Sequence, residues 1–166
     1  MNKQDSRLWR DLIFNLREQR RHIHALISLA REQTHALAEA NVERLAEITQ
    51  QQADHLDEID ALEHQRKQII CRVGETLGLH AQPPTLVDCT SLAPENMART
   101  LKWLQRELLQ DIHRLQTLNE RNRTLVNHAA ETVNTWLALV VNAAYSQVDY
   151  HPQAAMGTAV VLNAEV

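Results

Sequence analysis

The sequence predicts an all-α fold: a long antiparallel helical hairpin and a third long helix in a coiled-coil-like bundle, followed by a flexible C-terminal tail. The first observation is composition, because Ala, Leu, Gln, Glu and Arg dominate the 166 residues, while only 3 Gly, 4 Pro and 4% aromatic residues occur. Strong helix formers with so few breakers disfavour a sheet. The second observation is a helical apolar period, and the third is one Pro-containing interruption, predicted to be a loop over residues 79–91.

Two long helices are predicted before the interruption, over about residues 6–39 and 42–78. Apolar residues recur at steps of three and four from Leu8 to Leu37 and again from Leu45 to Leu77, which is typical of one buried helix face. The pattern loses phase near Asn41, whose side chain is suited to cap the second helix. Because neither Gly nor Pro marks the bend, a single continuous helix is the alternative to a hairpin.

A third helix is predicted over about residues 92–146. Pro83 and Pro84 cannot continue the preceding helix, whereas Pro94 is tolerated in a first helical turn. Asn122 falls within the apolar row of this helix, where an amide more often fixes helix register than contacts a partner. The row has a mean spacing of roughly 3.6 residues and comprises Met97, Leu101, Leu104, Leu108, Ile112, Leu115, Leu118, Asn122, Leu125, Ala129, Val133, Trp136 and Val140.

Residues 1–150 are interpreted as a single helical domain and residues 151–166 as a flexible tail. Pro152 ends the third helix because it biases the residue before it away from helical geometry. The last ten residues, GTAVVLNAEV, are apolar and short, with no evident partner strand. We expect a mobile segment that orders on binding, with an edge strand packed on the bundle as the alternative.

Charge is almost absent from one part of the third helix. Between Thr124 and Val148 the only fully charged side chain is Glu131, although the neighbouring sequence is rich in Arg, Asp and Glu. Protein interfaces have cores depleted in charge and enriched in aromatic groups. The sequence therefore predicts a partner-binding surface here, and packing inside the bundle is the alternative. Its residues are Leu125, Ala129, Val133, Trp136, Leu137, Val140 and Val141.

Composition also disfavours several classes of function. The formal net charge of -4 argues against nucleic-acid binding, which needs a basic face. The start of the chain lacks a signal-peptide core, and no window approaches the apolar length of a membrane span. We therefore expect a cytoplasmic protein without membrane insertion. Cys71 and Cys89 form no CxxC pair, so free thiols are predicted, with a disulfide as the less favoured alternative.

Metal and catalytic signatures are incomplete. Glu32 and His35 have the spacing of half a di-iron carboxylate site, but a second ExxH pair is missing from the sequence. Neither a Gly-rich phosphate loop nor a GxSxG element occurs. We therefore expect no metal site, no cofactor and no enzymatic activity.

The layout of the chain resembles the FlgN-type flagellar export chaperones over nearly its whole length. The resemblance consists of a long helical hairpin, a Pro-containing break and a third helix with an N-x-x-N element at Asn119 and Asn122. An apolar and amide-rich run follows, then Tyr150 and a flexible tail. The family often has Gly directly after the tail Tyr, whereas this chain has His151, so both Tyr150 and Tyr145 are candidates for docking to the export gate.

The resemblance implies a chaperone of the flagellar type III apparatus. Such a protein binds the C-terminal helical regions of hook-associated proteins, which join hook to filament, prevents their premature assembly and delivers them to the cytoplasmic domain of the export gate. The uncharged part of the third helix is then the client surface. For the chain in the absence of client, a homodimer and a monomer are the two alternatives. Two other hypotheses stay open: a structural coiled-coil oligomerisation module and a helical sensor domain for a small ligand.

Overall fold

The computed structural model describes residues 3–78 and 84–146, and these residues are almost entirely helical, with no strand among them. The all-α prediction is confirmed. The helices of the described ranges are α1, Lys3–Ala38; α2, Val42–Thr76; α3, Leu86–Leu92; and α4, Glu95–Ser146.

The chain divides into two compact units, Met1–Asn127 and His128–Val166. The first unit contains α1, α2, α3 and the first part of α4, whereas the second contains the rest of α4. The assignment of residues 1–150 to a single domain stays a prediction. The flexible tail proposed for residues 151–166 lies outside the described residues.

A tight turn separates α1 from α2. The amide of Asn41 donates to the carbonyl of Ala36 at 2.9 Å, and the amide of Ala40 to that of Leu37 at 3.3 Å. Ala40 adopts a φ of 51°, the left-handed conformation that ends many helices. The Asn41 side chain then accepts a hydrogen bond from the amide of Arg44 at 3.0 Å and caps α2. The predicted hairpin and its cap are confirmed, and the alternative of one continuous helix is wrong.

Helix α1 is the central element of the first unit. Asn15 Nδ2 donates to the carbonyl of Leu62 at 2.9 Å, whereas Gln33 Oε1, later in α1, accepts from Gln52 Nε2, earlier in α2, at 3.3 Å. The two helices are therefore antiparallel. The main cluster of buried side chains comprises Leu8, Trp9, Leu12, Leu16, Ile23, Ile27, Ile70, Val73, Cys89, Leu101, Leu104 and Leu108.

Two histidines meet across the hairpin. The Nδ1 atoms of His22 and His55 lie 2.9 Å apart, and Arg21 Nη2 lies 3.1 Å from Nε2 of His22. Burial, followed by the neighbouring charges of Arg21 and His55, lowers the pKa of His22 below its ordinary value. The neutral form of the His22 ring is therefore favoured in the interior of the hairpin.

The first part of α4 packs parallel to α1. Arg20 joins the two helices, because its Nη2 donates to Glu107 and its Nε to Asp111, each at 2.8 Å, while its guanidinium lies 5.1 Å from the ring centroid of Trp103. Burial alone would raise the pKa of Asp111, but hydrogen bonds from Arg20 and His24 outweigh this effect and lower it. This cluster orients α4 against α1 with partly buried charge-assisted hydrogen bonds.

The short helix α3 lies where the sequence was interpreted as a loop. Thr85 Oγ1 accepts from the amide of Asp88 at 3.2 Å, and Asp88 Oδ2 accepts from the amide of Thr85 at 2.8 Å. This reciprocal capping box allows the chain to turn helical soon after the proline pair. The helix brings Cys89 into the core, which provides a tertiary reason for its formation.

Candidate functional site

The predicted partner-binding residues lie along α4. Leu125 belongs to the first unit, and the other six residues belong to the second. All seven are exposed, and the six larger side chains range from 37% for Leu125 to 65% for Trp136. Their exposure disfavours the alternative that they are core residues, while binding of a partner stays a prediction.

Helical spacing places the main residues of the second unit on one side of α4. Val133, Trp136 and Val140 are separated by three and four residues, so their side chains are neighbours on the helix surface. Trp136 is 65% exposed and Val140 61% exposed. The structure thus gives this unit a continuous apolar strip, which we call the α4 strip: Ala129, Val133, Trp136, Leu137, Val140 and Val141.

Two threonine hydroxyls of the second unit are satisfied within α4. Thr132 Oγ1 donates to the carbonyl of His128, and Thr135 Oγ1 to that of Glu131, both at 2.9 Å. A hydroxyl engaged in this way has no free proton to offer a partner. This part of α4 therefore presents less hydrogen-bonding capacity than its threonine content indicates.

Sequence reasoning missed two exposed apolar residues of the same helix. Val126 is 47% exposed in the first unit, and Leu139 is 56% exposed in the second. Both fall within the uncharged stretch, which was the available signal.

Asn122 is buried in the first unit, with only 3% of its surface exposed. Its Nδ2 donates to the carbonyl of Ala30 at 2.7 Å and to Gln33 Oε1 at 3.2 Å, while its Oδ1 accepts from Thr34 Oγ1 at 2.6 Å. Groups of α1 therefore satisfy the hydrogen-bonding capacity of the Asn122 side-chain amide, and these bonds set the position of α4 along α1. These bonds support the interpretation that Asn122 fixes helix register over the alternative that it contacts a partner. Asn119, the other residue of the N-x-x-N element, is exposed.

The remaining candidate residues are two tyrosines, Glu32 and the two cysteines. Tyr150 and the side chain of Tyr145 lie outside the described residues. Glu32 forms an ion pair with Arg44, and the described part of the chain contains no group of three His, Cys, Asp or Glu side chains able to hold a metal ion. Both cysteines are free thiols, as predicted, and burial raises the pKa of Cys89 to about 11.

None of the helices within residues 3–78 and 84–146 combines the length and the apolarity needed to cross a bilayer.

Comparison with known proteins gives one family. A family model described as FlgN protein matches residues 8–158, which is nearly the whole chain. Searches of curated proteins and of solved structures produced no significant match. The match spans the hairpin, the Pro-containing break and α4, the same features on which the resemblance depended. The chain therefore belongs to the FlgN family of flagellar export chaperones.

Proposed function

We propose that this chain is a cytoplasmic chaperone that binds the C-terminal helical regions of hook-associated proteins and delivers them to the export gate. The α4 strip carries the proposal, because an exposed apolar face on a helix suits side-by-side packing with an amphipathic client helix. Glu131 is its only charged neighbour between Thr124 and Val148. Binding therefore avoids most of the desolvation cost that buried ions would add.

The energetics favour a client that contacts several turns of the chaperone. A fully buried large apolar side chain contributes about 1.5–3 kcal/mol, while association costs roughly 4–15 kcal/mol in lost freedom and ordering. Because Val133, Trp136, Leu137 and Val140 are only 56–65% exposed, each can gain roughly half of that amount, and together they reach only the lower end of this cost. A client with a single apolar anchor would be held too weakly to be kept from assembly.

A direct binding measurement tests the proposal. A fluorescein-labelled synthetic peptide covering the C-terminal helical region of a hook-associated protein is titrated with the full chain, and anisotropy is recorded. We expect saturable binding in a ratio of about one to one. Absence of binding combined with self-association at low concentration would favour the oligomerisation module, and a metabolite-dependent shift in Tm would favour the sensor domain. Sedimentation of the chain without peptide tests whether it forms a homodimer.

Delivery to the gate is assigned to Tyr150 or Tyr145. We expect Tyr150→Ala to lower co-purification with the cytoplasmic domain of the export gate, since aromatic side chains often provide much of the binding energy at an interface. Client-peptide affinity should stay within twofold of the wild type. Tyr145→Ala is the matched comparison and identifies which tyrosine docks. A loss of peptide affinity in the Tyr150 variant would contradict the separation of docking from client binding.

A further inference from the structure

The first unit contains a groove whose lining residues do not belong to the α4 strip. Its volume is about 410 Å³, and it lies between α2 and α4 with α1 at its base. Leu26 of α1 and Leu115 of α4 form its apolar base, while Leu56 of α2 and Val126 of α4 supply apolar groups that are more exposed. We call this feature the α2–α4 groove.

The shape of the groove suits a helix. Residues 115, 119, 122 and 126 of α4 line it, with steps of four, three and four residues that place them on one side of the helix. They extend over roughly 16 Å, or about three turns. A site that follows one helix side for three turns is elongated, so a packed helix fills it better than a compact small molecule does.

The apolar side chains of the groove are incompletely covered. Leu56 is 55% exposed and Val126 is 47% exposed, whereas Leu26 at the base is only 3% exposed. An apolar helix face lying in the groove would remove Leu56 and Val126 from water together. This burial is the main free-energy gain that the groove offers.

The polar groups of the groove define the chemistry of its occupant. Gln33, Gln52, Asn119 and Asn122 supply amides, and Asn122 is already committed to α1. Arg123 is the one charged residue that lines the groove, and it forms no ion pair with any residue in the described ranges. The complementary occupant has apolar residues on one face, uncharged polar residues beside them and a carboxylate that reaches the guanidinium.

We propose that the α2–α4 groove is a second client-binding site, which holds an amphipathic helix of the hook-associated protein with a carboxylate paired to Arg123. This inference rests on the proposed function, since it adds a site to the same chaperone. The energetic argument favours it, because a client that contacts the groove in addition to the α4 strip buries apolar residues over more helical turns.

The test compares two exposed leucines in the full chain. Leu56→Arg places a charge in the groove, and Leu109→Arg is the matched control, because Leu109 is 62% exposed on α4 and lines a different depression with Lys102 and Arg106. The probe is the fluorescein-labelled client peptide described above. We expect Leu56→Arg to weaken binding at least tenfold and Leu109→Arg to stay within twofold of the wild type. Circular dichroism checks that both variants keep their helix content.

A charge reversal gives an independent measurement. Arg123→Glu should weaken peptide binding by about tenfold at low salt and reduce the salt dependence of the affinity, since a guanidinium–carboxylate pair is screened by added ions.

Three outcomes would overturn the groove proposal. If the wild-type chain binds the peptide and the affinities of Leu56→Arg and Arg123→Glu both stay within twofold of the wild type, the groove proposal is overturned while the proposed function stays intact. Dissociation of a homodimer by Leu56→Arg with unchanged peptide affinity would also overturn it, because the occupant would be a second copy. A wild-type chain that does not bind the peptide overturns both proposals.

Discussion

Replacing Trp136 and Val140 together by aspartate should abolish client capture while leaving the helix content of the protein unchanged. The two side chains are 65% and 61% exposed, so neither substitution removes a core contact. In a complex each aspartate would have to lose its hydration among apolar groups, at a cost of several kcal/mol per ion. We expect at least about a 100-fold loss of affinity, which corresponds to about 2.7 kcal/mol.

The matched control for this prediction places two aspartates on the opposite side of the same helix. Thr135 and Ala138 are exposed and, at about 100° per residue, point away from Trp136 and Val140. Thr135→Asp with Ala138→Asp therefore adds the same charge without entering the α4 strip, and its affinity for the client peptide should stay within about threefold of wild type, a change of about 0.6 kcal/mol. Loss of helicity in the Trp136 and Val140 variant, measured by circular dichroism, would show instead that these residues stabilise the fold.

Asn122→Ala should give the largest loss of stability among the substitutions considered. The buried amide donates to the Ala30 carbonyl and to Gln33 and accepts from the Thr34 hydroxyl. Each such bond contributes about 1 kcal/mol net, and a buried group left unpaired costs more. Thr34 Oγ1 also lies 3.0 Å from the Ala30 carbonyl, so it can restore part of the bonding. We expect the free energy of unfolding to fall by about 2–3 kcal/mol.

Urea denaturation monitored by circular dichroism measures this effect, and Asn119→Ala is its control. Asn119 belongs to the same N-x-x-N element but is exposed. Its replacement should change the unfolding free energy by no more than about 0.5 kcal/mol. Equal losses of unfolding free energy in the two variants would show that the buried hydrogen bonds of Asn122 do not make it more stabilising than the exposed Asn119.

Local chemistry explains why much of the fold was predictable. The apolar period determines a helix face, and the cap at Asn41 depends on residues within one turn, so both are readable from short windows of sequence. The capping box of α3 was equally local, since Thr85 and Asp88 are three residues apart. It was missed because Pro83 and Pro84 led to the interpretation of the whole interval as a loop.

The candidate sites were predictable only in part. Missing charge is visible in sequence, so the α4 strip could be proposed before any coordinates, although the prediction did not include Val126 and Leu139. The α2–α4 groove could not be proposed in this way. Its base and sides come from three helices, and no sequence window contains Leu26, Leu56 and Leu115 together.

The sequence by itself determined that this chain is helical, that Asn41 is suited to cap a helix and which part of α4 lacks charge, because these properties depend on neighbours within a few residues. Only the tertiary structure decided that Asn122 is bonded to α1, that Cys89 is part of the core and that Leu56 and Val126 border one groove. Each of these outcomes depends on the packing of residues that are distant in sequence. Such contacts are set by how helices meet, which the period of a single helix does not specify.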